Sequence, residues 1–195
     1  MKDVFVSGWY GYTELFSGLS EDFEFAVPFI THSLSDIDEL MEEGGKNLFA
    51  WSTGAFLMLD RQKRPNFENI VLISPFKKFT SYTPERVLEI MIKKFVDFPE
   101  KVASDFIKRC GCEGTPEYNP QHFHILLHGL RFLLRTDVEE LEWSLEGVKV
   151  LHGTEDKIVD VQASRDMVWE TDATLYEIEG AGHWIKPDIL SKYKI

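Results

Sequence analysis

Apolar residues fall in short runs separated by polar, glycine-bearing stretches, the pattern of buried strands alternating with helices. Val4 to Ser7 (V-F-V-S) and Phe23 to Ile30 (F-E-F-A-V-P-F-I) predict two strands, and Asp36 to Glu43 predicts a short helix ended by Gly44-Gly45. Lys46 to Trp51 (K-N-L-F-A-W) predicts a third strand that runs directly into a helix with an apolar face over Thr53 to Arg61. Ile70 to Ile73 predicts a fourth strand, stopped by Ser74-Pro75. Such alternation belongs to an α/β class, a mostly parallel sheet with helices on both faces. The rhythm breaks between about residues 76 and 134, where the chain reads as helical and aromatic (Phe79, Phe95, Phe98, Phe106, Phe123, Phe132) apart from Gly111 to Pro120. It resumes with a strand from Val148 and another over Thr174 to Ile178. One domain over 1–195 is expected, with 76–134 as a helical insertion.

Three polar residues stand where predicted strands end. Ser52 lies in Ala50-Trp51-Ser52-Thr53-Gly54, Asp156 follows Val148-Lys149-Val150-Leu151-His152-Gly153, and His183 lies in Gly180-Ala181-Gly182-His183-Trp184. Serine, then acid, then histidine is the order in which α/β-hydrolases assemble a nucleophile, an orienting carboxylate and a general base. A sharp strand-to-helix turn at Ser52 requires small neighbours, here Ala50 and Gly54, and puts the Thr53 amide at a helix N-terminus. By itself the five-residue turn also fits a serine that caps a helix. Glu155 is a rival to Asp156, and the shorter Asp156 side chain is the better match to an acid turn. His32, His122, His124, His128 and His152 lack a comparable loop and read as structural.

Composition narrows the picture. The chain has 195 residues, 44% hydrophobic and 13% aromatic, enough for one substantial core. A net charge of −12 argues against nucleic acid, whose phosphates need clustered Lys and Arg. That charge is uneven: residues 76–114 hold eight basic residues against six acidic ones. An ordinary solvated helix face and a landing surface for an acidic partner both fit this excess. No apolar run reaches 18 residues and Met1-Lys2-Asp3 leads straight into a strand, so a cytoplasmic protein that neither spans membranes nor is secreted is expected. Cys110 and Cys112 are too close for an easy disulfide and too few for zinc, and read as free thiols. No metal or organic cofactor is expected.

Taken together, Val6-Ser7-Gly8-Trp9, Ala50 to Gly54, Ile73-Ser74-Pro75-Phe76, the stretch His128-Gly129-Leu130-Arg131-Phe132-Leu133-Leu134-Arg135-Thr136-Asp137-Val138, His152-Gly153-Thr154-Glu155-Asp156 and Gly182-His183 resemble the pimeloyl-acyl-carrier-protein methyl ester carboxylesterases of biotin synthesis. The resemblance implies an α/β-hydrolase fold, expected here to be shortened at its N-terminus as a departure from the family, a helical lid over 76–134, and a serine esterase needing no cofactor. It further implies oxyanion amides from Trp9 and Thr53, and a grip on an acidic acyl-carrier protein by basic lid residues among Lys93, Lys94, Lys101, Lys108 and Arg109. The sequence departs from the family pattern: Ser7 stands where a His commonly precedes the Gly, Ala50 replaces the first Gly of the elbow, and no G-F-G-x-S loop follows Pro28. A generic carboxylesterase or thioesterase shares the same three residues, and a hydrolase-like binding protein is the non-enzymatic alternative.

Overall fold

The computed structural model describes residues 2–114 and 116–195. Six strands, β1 (Val4–Val6), β2 (Glu24–Ala26), β3 (Gly45–Trp51), β4 (Phe67–Ile73), β5 (Lys149–Gly153) and β6 (Thr174–Ile178), form one sheet in the order β2-β1-β3-β4-β5-β6. Every neighbouring pair is parallel. β1, β3 and β4 are apolar along most of their length and reach complete burial, the composition expected of strands covered on both faces. The edge strand β6 is only partly buried.

Strand order places the site before any side chain is considered. From β1 the chain moves outward to β2, then crosses back over β1 to β3, and thereafter advances strand by strand in the opposite direction. The carboxyl ends of β1 and β3 therefore flank the point where the winding reverses, the position at which open parallel sheets hold ligands. Gly8-Trp9 follows β1 and Ser52 follows β3.

Helices α1 (Leu34–Glu43), α2 (Thr53–Leu59), α6 (Gln162–Trp169) and α7 (Pro187–Leu190) follow β2, β3, β5 and β6, and α3 (Glu85–Asp97), α4 (Pro99–Cys110) and α5 (Phe123–Leu133) lie between β4 and β5. The helical insertion is thus present as three helices. α1 opens on a reciprocal cap: Ser33 Oγ accepts from the Asp36 N–H at 3.2 Å while the Asp36 carboxylate accepts from the Ser33 N–H at 2.8 Å. Among the described residues no helix is long and apolar enough to cross a membrane.

The expected strand over Phe23 to Ile30 is shorter than its apolar pattern. It pairs with β1 only as far as Ala26, because Pro28 has no N–H to donate and Phe29 turns the chain at φ 67°. Thr31 completes the turn, its Oγ1 accepting from the Val27 N–H at 2.9 Å. The insertion's aromatics divide by role. Phe95 stacks on Phe123 at 5.6 Å, Phe132 packs edge-on against Phe56, and Phe98 is 62% exposed. Phe79 and Phe106 face the cleft above the sheet.

Candidate active site

Ser52 occupies the junction of β3 and α2 in a backbone conformation that L-residues avoid, φ 56° and ψ −116°, which costs on the order of 1–3 kcal/mol and is held by its surroundings. Its N–H donates to Ile73 O at 2.9 Å, fastening the turn to β4, and its carbonyl accepts the first helical bond from the Phe56 N–H at 2.9 Å. The turn presses against β1. A Cβ on Gly54 would sit 2.2 Å from Val6 O and 2.6 Å from Ser7 O, and one on Gly8 would sit 2.8 Å from the Ser52 Cβ. Small residues at these points are steric requirements of the fold.

The loops after β5 and β6 bring the other two residues to Ser52. His183 Nε2 lies 2.9 Å from Ser52 Oγ, and His183 Nδ1 lies 2.7 Å from Asp156 Oδ2. Because a carboxylate only accepts, Nδ1 carries the proton and Nε2 is left to accept from the Ser52 hydroxyl. The imidazole and the carboxylate are both fully buried. Three elements fix the His183 backbone: its carbonyl accepts from Trp51 Nε1 at 2.8 Å and from Ser74 Oγ at 3.4 Å, while the Trp184 N–H donates to Cys110 O at 2.9 Å at the end of α4. The acid loop is zipped to the histidine loop by Glu155 N–H to Ala181 O at 2.9 Å and by the Gly180 N–H to Thr154 Oγ1 at 2.9 Å.

Four donors converge on Asp156. Oδ1 accepts from the Ile158 and Val159 amides at 2.7 and 2.9 Å, and Oδ2 accepts from His183 and shares, at 3.1 Å, the N–H of His152 Nε2, which also bonds Val159 O at 2.9 Å. Burial alone pushes this carboxyl up. The charge of His183 and the hydrogen bonds from His152 and His183 outweigh burial and hold it well below the usual carboxylate range. Glu155, the rival acid, is exposed. His152, read as structural for want of a loop setting, is thus in direct contact with the site. The signal that finds it is its spacing, four residues before Asp156 with a turn between them, and that spacing carries meaning only once the turn's shape is known.

Trp9 and Thr53 stand on either side of Ser52 and line the same cleft. Thr53 opens α2, so its N–H has no acceptor within the helix. The Trp9 ring is anchored by Nε1 donating to Leu126 O on α5 at 2.8 Å, and it meets Phe106 edge-on at 4.8 Å. The cleft has a volume of about 320 Å³ and includes Ser52 and Asp156. Val87, Leu88, Met91, Phe106, Leu130 and Leu133 from the inserted helices form its apolar wall, and Arg109, Lys157 and Asp160 supply its charged part. Thr53 Oγ1 is buried and has no partner among the described residues.

The five basic residues expected to hold a carrier divide between the cleft and the surface beyond it. Lys93, Lys94, Lys101 and Lys108 are exposed on α3 and α4, and Lys101 pairs with Asp105 at 3.5 Å. Arg109 is exposed, contributes to the cleft, and donates from Nη2 to Lys157 O at 2.9 Å. Cys110 and Cys112 are free. Burial, with a hydrogen bond to Cys112, pushes the Cys110 thiol well up, so it stays protonated and unreactive.

An all-parallel sheet that reverses its winding beside a strained serine, with acid and histidine loops from the next strands, defines the α/β-hydrolase fold. Solved structures agree. BioG from Haemophilus influenzae superposes with a TM-score of 0.70 at 16% identity, covering 98% of this chain and 94% of that one. The esterase EaEST from Exiguobacterium antarcticum gives a TM-score of 0.67 at 16% identity over 98% of this chain and 89% of its own. MGS-M2, an alpha/beta hydrolase from a Medee basin deep-sea metagenome library, gives 0.64 at 14% identity over 93% and 82%. No family profile matches the chain, and no curated protein matches its sequence. At these identities the likeness establishes the fold.

Proposed function

We propose that this chain is a serine carboxylesterase. The observation that carries the reading is the continuous hydrogen-bond line from Ser52 Oγ through His183 to Asp156 beside an apolar cleft. Ser52 Oγ attacks the ester carbonyl carbon while His183 Nε2 takes its proton, and Asp156 holds the imidazole tautomer and stabilises the imidazolium. The Trp9 and Thr53 amides bind the oxyanion of the tetrahedral intermediate. As it collapses, the carbonyl-to-alkoxy bond breaks and His183 protonates the departing alcohol. Water, deprotonated by the same imidazole, then attacks the acyl-enzyme carbonyl; the acyl-carbon-to-Oγ bond breaks, His183 returns the proton to Ser52 Oγ, and the acid leaves. Because the fold holds both side chains in place and buries them, the His183–Asp156 pair needs little reorganisation at the moment of reaction.

For the substrate we propose the methyl ester of pimeloyl-acyl-carrier protein, in biotin synthesis. Two things support it: the family resemblance carried by Gly8-Trp9 and the His128 to Val138 stretch, and a cleft whose apolar wall suits an acyl chain. Lys93, Lys94, Lys101, Lys108 and Arg109 are the candidates for holding the acidic carrier. The second reading is a generic short-acyl carboxylesterase or thioesterase, favoured by the likeness to EaEST, an esterase.

The test has two arms. A fluorophosphonate should add once, at Ser52, and Ser52→Ala should abolish labelling and lower ester hydrolysis by several orders of magnitude while remaining folded. A label on another serine rejects the site. Complementation of a biotin-requiring strain that lacks its own methyl esterase decides the substrate: growth supports the carrier-bound ester, and hydrolysis of p-nitrophenyl esters without growth supports the generic enzyme.

A further inference from the structure

His152 is a fully buried imidazole on β5 that the hydrolytic scheme does not use. Its Nε2 lies 2.9 Å from Val159 O and 3.1 Å from Asp156 Oδ2, and its Nδ1 lies 2.7 Å from Ser164 Oγ on α6. Both neighbours of Nε2 only accept, so Nε2 carries the one ring proton, which bonds Val159 O and turns its positive end toward Asp156 Oδ2 as well, and Nδ1 accepts from the Ser164 hydroxyl. The ring is therefore clamped by its own strand, the acid turn and α6. His152 does not line the cleft.

We infer that His152 is a positioning residue, its Nε2–H bonded to Val159 O and, 3.1 Å from Asp156 Oδ2, also holding that oxygen in the direction that meets His183 Nδ1; this rests on the esterase reading and deepens it. The physical reason is the carboxylate torsion. Rotation of an Asp carboxyl group about its last bond is soft and roughly two-fold, so the two amides on Oδ1 leave the carboxylate a pivot. A second donor on Oδ2, itself held at both ring nitrogens, removes that freedom. It also keeps a full set of donors on Asp156 when His183 gives up or takes a proton elsewhere in the cycle, so the acid does not swing between steps. Outer hydrogen-bond partners of this kind orient the group they touch without touching the reactant.

The deciding comparison is His152→Asn against His152→Gln. Both are polar, but the Gln amide nitrogen reaches the place of Nε2 while that of Asn stays near Nδ1. On a short p-nitrophenyl ester, His152→Asn should lower kcat by about tenfold to a hundredfold with KM unchanged, the scale set by loss of an outer hydrogen-bond partner. His152→Gln should recover most of that loss. The downfield proton of His183 Nδ1–H, observed in histidine-labelled protein without substrate, should shift in His152→Asn and return toward its wild-type position in His152→Gln. Equal impairment of the two variants, a change confined to KM, or an unmoved resonance overturns the assignment. If the wild-type protein hydrolyses no ester, the esterase reading fails, and the resonance still decides whether His152 orients Asp156. Should His152→Asn not fold, Ser164→Ala takes its place. Keeping His152 but freeing its Nδ1, it should lower kcat alone and to a smaller degree, and unchanged kcat overturns the proposal.

Discussion

Two adjacent acids, Glu155 and Asp156, separate at the level of single residues by what surrounds them. Asp156 is buried against two imidazoles and two amides, while Glu155 faces solvent. Asp156→Asn should therefore lower turnover by roughly ten-thousandfold, because an amide donating toward Nδ1 favours the wrong imidazole tautomer. Glu155→Gln should change it little, and steady-state kinetics on one ester compare the two. The same contacts make Asp156 a source of pH-dependent stability. Its carboxyl is held below the ordinary value of 3.8, so the unfolded chain binds a proton there more readily than the folded one. That stability is fully present above this ordinary value and is lost as pH falls below about 4 toward the folded value. Urea unfolding of the wild type between pH 7 and pH 3 should show this loss, and Asp156→Asn, having nothing to titrate, should show a shallower one.

The elbow is a property of two elements in contact, β1 and the start of α2. Ser52 keeps its strained backbone because Gly54 lets the helix start within van der Waals distance of the β1 carbonyls. Gly54→Ala would force a methyl group against Val6 O and Ser7 O, backbone atoms that a rotamer change cannot move. The expected cost is about 1–3 kcal/mol, read from the urea midpoint, with slower fluorophosphonate labelling of Ser52 as the turn opens. The helix former loses here to the close approach: in an exposed helix interior the same change stabilises. Element lengths follow similar reasoning. β3 and β4 reach the ends of their apolar runs because both faces are covered, whereas β2 stops at Ala26 because an edge strand has one partner and Pro28 cannot continue the ladder.

At the scale of the molecule, α3 and α4 carry both an apolar wall of the cleft and lysines that stand off it. The chain carries −12, yet α3 and α4 expose Lys93, Lys94, Lys101 and Lys108. If these lysines steer an acidic carrier protein, reversing Lys93, Lys94 and Lys101 to Glu should raise KM for the carrier-bound ester. The penalty should shrink at high salt, since charges more than about 8 Å apart are largely screened at physiological ionic strength. Hydrolysis of a small free ester should stay unchanged, because none of the three lines the cleft. Equal loss on both substrates would assign them a structural role, and no loss on either would make them a solvated face.

Local chemistry alone was enough for much of this protein. Unbroken apolar runs such as Ile70 to Ile73 announce strands buried on both faces. The order Ser52, Asp156, His183, each just past such a run, names three loops on one edge of a parallel sheet, since parallel strands all end on the same side. Residue size marked the elbow, because only small side chains fit beside a turn that tight. Tertiary structure decided what depends on direction and distance. It buried Asp156, the acid already preferred for its shorter side chain, and exposed Glu155, sent Phe95, Phe123 and Phe132 into packing while Phe106 faced the cleft, and ended β2 early. It also put His152 onto Asp156 through a turn whose geometry no periodicity encodes. Strands and helices arise from contacts between residues close in sequence and repeat with a period; a hydrogen bond between a strand, a loop and a helix exists only after they pack, and leaves no period behind.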